Sequence, residues 1–129
     1  MKTKQRKTLK EILQSVSDVM FPAELGEKQV NIDSRDVEGD TPLHVMVWRE
    51  DLYGAKILME AGADVNAVGD MGETPLHVAL TKENEELTEV LLKSGANPDI
   101  RSEFEETARE KAEGMGGAFR KLMKQYCRT

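Results

Sequence analysis

Leu9, Ile12, Leu13, Val16, Val19 and Met20 recur at the spacing of one helix face, with Lys10, Glu11, Gln14 and Asp18 opposite them. Pro22 closes that pattern, so a helix is predicted up to about residue 20. Leu43, Met46 and Val47 predict a second helix, and Leu76, Ala79 and Leu80 a matching one. Further helices are predicted over 52–61, carrying Ile57, Leu58 and Met59, and over 85–94, carrying Leu87, Val90, Leu91 and Leu92. Phe119, Leu122, Met123 and Tyr126 form a last apolar stripe. Segments 33–40 and 67–73 lack helical period and end near a glycine, as turns do. Strand-like alternation is absent, and no apolar run approaches the ~18 residues of a membrane span.

The pattern repeats every 33 residues. Gly39-Asp40-Thr41-Pro42-Leu43-His44-Val45 returns as Gly72-Glu73-Thr74-Pro75-Leu76-His77-Val78. Ala61-Gly62-Ala63-Asp64-Val65-Asn66 returns as Ser94-Gly95-Ala96-Asn97-Pro98-Asp99. A worn copy puts Glu106-Thr107-Ala108 in register with Glu73-Thr74-Pro75. Thr41 and Thr74 are suited to cap a helix, Pro42 and Pro75 to its first position, and Gly62 and Gly95 to its stop. This period and the T-P-L-H signature resemble the ankyrin repeat family over roughly residues 30–126. The resemblance implies an all-α solenoid of about three helix-turn-helix repeats, elongated and monomeric when free.

The two ends differ from the middle. Pro22 would fall inside a second helix, so residues 1–29 are read as a basic N-terminus and a capping helix. Residues 30–129 are read as the repeats, ending in a degenerate capping repeat. There Arg109 and Glu110 replace Leu and His, giving an end unit a polar outer face.

Charge sharpens this picture. The net charge is −6, but residues 11–113 hold all 24 acidic side chains against nine basic ones. The first ten residues carry +5 and the last 16 carry +4. An acidic body repels nucleic acid, whose binding rests on neutralising phosphates, and attracts a basic protein. The lone Cys127 cannot form an internal disulfide, and no apolar run follows the basic N-terminus as in a secretion signal; a reducing cytoplasm is expected.

Catalytic and metal chemistry find little support. His44 and His77 are equivalent positions one repeat apart, and packed helices ~8–10 Å apart do not bring parallel imidazoles to one ion. The ankyrin resemblance instead implies that this histidine bonds backbone near the turn between repeats. Gly114-Met115-Gly116-Gly117 lacks the Lys-Ser/Thr of a phosphate loop and reads as a turn. Cys127 has no histidine near it in sequence. The chain is therefore expected not to be an enzyme and to need no cofactor.

Function is expected in a binding surface. The resemblance places partners on the turn fingers and on the concave ends of the first helices. Transferred by register, the finger positions are Arg35, Val37, Glu38 and Asp40; Val68, Asp70, Met71 and Glu73; and Arg101, Glu103, Phe104 and Glu106. The helix ends are Trp48 and Arg49, Thr81 and Lys82, and Glu113. Every finger carries carboxylates and one apolar residue that packing does not demand: Val37, Met71 or Phe104. Exposed apolar residues ringed by charge resemble an interface core and rim. The competing reading has Met71 and Phe104 folded back on neighbouring repeats and Trp48 filling the core. Tyr53, Lys56 and Glu89 are assigned to the tolerant convex side. Taken as starting at its own Met1, the chain leaves no room for another domain. It is expected to bind, and inhibit or neutralise, one basic protein, as a bacterial immunity protein does with a toxin. The alternative is a scaffold within a larger complex.

Overall fold

The computed structural model describes residues 7–127. The basic residues Lys2, Lys4, Arg6 and Arg128 lie outside it. In chain order the helices are α1 (Leu9–Gln14), α2 (Ser17–Met20), α3 (Pro42–Trp48), α4 (Leu52–Glu60), α5 (Pro75–Thr81), α6 (Glu85–Lys93), α7 (Ala108–Glu113) and α8 (Gly117–Tyr126). Short 3-10 turns cover Pro22–Glu24 and Asp70–Gly72. Among the described residues, β-structure is limited to one bridge between Arg101 and Thr107.

The helices pair and stack as the 33-residue period requires. α3 packs on α4, α5 on α6 and α7 on α8; α3, α5 and α7 form one row, and α4, α6 and α8 the other. One core runs through the stack, from Ile12, Val16 and Met20 through Leu43, Leu58, Leu76 and Leu91 to Phe119 and Met123. A single helix pair cannot bury its own apolar face, so each unit depends on its neighbour. Two of the first helices, α3 and α5, are buried more completely than a one-sided stripe predicts. Residues 42–47 and 75–80 are buried all round, Val45 and Val78 included. These helices are sandwiched between second helices and finger bases, which explains why they are almost wholly apolar.

Thr8, Thr41, Thr74 and Thr107 cap α1, α3, α5 and α7, spaced 33 residues apart. Each hydroxyl accepts the N–H of the third helical residue, whose side chain returns a bond to the cap. That residue is Glu11, His44, His77 or Glu110. The N-terminal cap of the stack thus keeps the repeat register.

The single helix expected there is in fact two pieces. Ser15 donates its hydroxyl to the Ile12 carbonyl at 2.6 Å, and the Val16 N–H donates to the Leu13 carbonyl only three residues back, at 3.3 Å. A serine bonding back to its own helix competes with the helical ladder, and the chain turns at Val16 before α2.

The fingers are tight turns. Gly39, Gly72 and Glu105 donate their N–H groups to Asp36, Gly69 and Ser102, each at 3.0 Å. All three donors have positive φ, at 95°, 71° and 62°, and only Glu105 must adopt it with a side chain. A Cβ crowds the neighbouring carbonyl in that region. Glu105→Gly is expected to raise stability by about 0.5–1 kcal/mol, the relieved strain exceeding the added freedom of the unfolded chain. A urea titration checks this, and a lower midpoint would contradict it.

Candidate protein-binding surface

Adjacent fingers are fastened to each other before they meet anything else. Arg35 donates to its own Gly39 carbonyl at 2.7 Å and to the Val68 carbonyl of the next finger at 2.8 Å. The Asp40 carboxylate accepts the Asp70 N–H at 2.9 Å. The Glu103 N–H donates to the Met71 carbonyl at 2.9 Å. Gly72 makes that last approach possible, because a Cβ there would sit 2.8 Å from the Glu103 nitrogen.

The two histidines complete the fastening. His44 is buried, with Nδ1 accepting from the Thr41 N–H at 3.1 Å and lying 2.9 Å from its hydroxyl. With Nδ1 an acceptor, the proton sits on Nε2, which donates to the Glu73 carbonyl of the next finger at 3.0 Å. His77 repeats the arrangement between Thr74 and the Glu106 carbonyl. Among the described residues no group of three or more His, Cys, Asp or Glu converges as a metal site.

Burial holds the His44 imidazole below its ordinary value near 6.5, partly offset by its bond to Glu73 and the charge of Asp40. Below about pH 6.5 the unfolded chain therefore binds a proton that the folded chain resists. This part of the stability is complete above that pH and lost as pH falls. Glu73 works in the opposite sense, since burial raises its carboxyl against the pull of His77 and Lys111. Urea midpoints at pH 7.5 and 6.0 should show a decline that is smaller in His44→Gln; an identical decline would contradict this assignment.

The positions named from sequence fall into three groups. Asp40, Glu73 and Glu106 are half-buried at the finger bases, where the Asp40 carboxylate and the Glu73 and Glu106 carbonyls hold the fastening bonds. The tips are Val37-Glu38, Asp70-Met71 and Glu103-Phe104, the two central residues of each turn. Val37 is 97% exposed, Met71 49% and Phe104 64%. These side chains are not folded into the core. Met71 also has a left-handed backbone, φ 59°.

The third group lies at the ends of the first helices. Trp48 is 46% exposed, so it is not core filler. The Lys82 ammonium from the next repeat stands 5.3 Å from its ring centroid, a cation–π distance, and 3.9 Å from Glu50. Asn84 donates to the same Glu50 carboxylate at 3.1 Å. Thr81 and Arg49 are exposed, and Arg49 reaches the Ser15 carbonyl at 3.3 Å.

A family model of ankyrin repeats in three copies matches residues 4–102, well over half of the chain. The chain belongs to the ankyrin repeat family. The match begins at the N-terminal helices and stops before α7, whereas the repeat pattern read from sequence runs from 30 to 126. No curated protein matches the chain. Ankyrin repeats are a protein-binding module, and among the described residues no helix is long and apolar enough to cross a membrane.

Several partners of this ankyrin stack escaped the sequence reading. Glu110 accepts the Thr107 N–H at 3.0 Å and meets Arg101, so it closes a cap and is more than a solubilising charge. The T-x-x-E spacing at 8–11 and 107–110 carried that signal. Arg109 is only half-exposed and grips Asp99 with two nitrogens, at 2.8 and 3.0 Å. In the row formed by α4, α6 and α8, Tyr53 donates to the Lys7 carbonyl and Tyr126 to Glu89. Tyr53 and Glu89, expected to tolerate change, therefore tie flanking units together, and exposed Lys56 is the better neutral control.

Proposed function

We propose that this ankyrin chain captures one protein partner through its fingertips and the Trp48–Lys82 elbow, and inhibits or neutralises it by covering a basic surface. The observation behind this reading is the composition of the tips. Each of three successive turns presents one apolar side chain and one carboxylate, none of them required by the core. Apolar anchors supply the slow dissociation of an interface, and a rim of one sign speeds encounter with the opposite sign. An immunity protein covering the cleft of a basic toxin in a reducing cytoplasm is the biological role that fits best, with the free chain a monomer.

A partner isolated by pull-down allows the test. Trp48→Ala and Phe104→Ala should each cost about 2 kcal/mol or more of affinity, mainly as faster dissociation. Replacing Glu38 and Glu103 by Gln, or raising salt, should slow association and leave dissociation nearly unchanged. Lys56→Ala should be silent. Strong loss at Lys56 with silent Trp48 and Phe104 would move the surface to the convex side. Measuring the partner's own activity in the complex separates inhibition from recruitment.

A further inference from the structure

Resting on the fingertip reading, we propose that the partner element seated on the tips is a basic amphipathic α-helix running along the row of fingers. Neighbouring fingers are joined by direct hydrogen bonds, and packed repeats of this kind stand ~8–10 Å apart. Repeats stacked at that interval set Val37, Met71 and Phe104, all exposed, in an apolar row with one anchor expected about every 10 Å. Each has a carboxylate as its chain neighbour in the turn: Glu38, Asp70 and Glu103.

A partner backbone must return to the same face at that interval. A helix does so, because seven residues rise ~10.5 Å over two turns. A β-strand does not: three residues span ~10 Å, and the third side chain points to the opposite face. The row is also oblique, with Val37 at the first central position of its turn and Met71 and Phe104 at the second. A helix offers an apolar stripe ~100° wide, broad enough to cover such an offset. A polyproline ridge, with its three-residue turn, is one side chain wide. Charge sets the flanks. The carboxylate follows the apolar residue in the first tip and precedes it in the other two, so Lys or Arg is needed on both sides of the stripe. The site would thus read apolar residues at i, i+7 and i+14 between two basic rows.

The test is a display library of random peptides about 16 residues long, enough for two heptads, selected on the full chain. The enriched peptides should carry heptad-spaced apolar residues flanked by Lys or Arg. They should gain helical circular dichroism on mixing, lose binding at least tenfold against Phe104→Ala, and lose it when proline is placed mid-peptide. Enriched peptides with three-residue spacing, or binding that depends on Phe104 but tolerates the central proline, would overturn the helix and leave the fingertip surface standing. Peptides indifferent to both Phe104→Ala and Trp48→Ala would overturn the surface itself. A selection that yields no binder would overturn the proposal.

Discussion

Removing residues 1–20 should cost most of the stability of the stack. The deleted segment holds three fully buried side chains, Ile12, Val16 and Met20, with Leu9 and Leu13 packed against the same core. Burying each of the three is worth ~1.5–3 kcal/mol, so their joint loss is on the order of 5 kcal/mol or more. Domain stabilities are only ~5–15 kcal/mol. In a solenoid the effect does not stop at the deleted unit, because α1 packs on α4 and the newly open face belongs to the next repeat. Urea unfolding of the shortened chain should give a much lower midpoint and a smaller slope, since less surface remains to expose. Ile12→Ala in the full chain should cost about 3 kcal/mol, which separates loss of packing from loss of chain length. A shortened chain melting within a few degrees of the full one would mean that this segment does not support the stack.

The second large effect should follow exchange of the capping residues. His77→Ala removes a buried ring and strands the Thr74 N–H and the Glu106 carbonyl, which it pairs at 3.1 and 3.0 Å. Unpaired buried groups cost ~1–3 kcal/mol each, and the ring leaves a cavity besides. A loss of about 3 kcal/mol is expected. His77→Glu should be at least as damaging. A carboxylate can accept the cap N–H, but it cannot donate to Glu106, and it would bury charge against a carbonyl. Glu110→His, the reverse exchange, should leave the melting temperature near the parent's, because Glu110 is exposed and faces no following finger among the described residues. Equal tolerance of histidine and glutamate at both positions would show that the bond between repeats contributes little.

These expectations draw unequally on sequence and on tertiary contact. The 33-residue register, the helices that follow Thr41 and Thr74, and the finger turns were legible because each is written in local chemistry: a hydroxyl cap, a proline at the first position, a glycine at the stop. The first cap was equally local in Thr8 and Glu11, yet Pro22 obscured its place in the register. Exposure at the tips was half legible. Val37, Met71 and Phe104 stood out as apolar residues in turns, but a turn alone does not say whether its side chain folds back. The hydrogen bonds from finger to finger decide that, since they hold the hairpins side by side with their central residues outward.

What sequence alone determined is the repeat, its handful of helix signals and an acidic body, all properties of neighbours along the chain. Only the tertiary structure decided that Asp40 fastens fingers, that Lys82 crosses a repeat to stand over Trp48, and that Tyr53 and Glu89 bind terminal segments. Those pairs join residues 30 to 46 positions apart. Their existence depends on how far each unit is translated and turned against the next, which is set by the packing of buried side chains between units and is not written in any one stretch of chain.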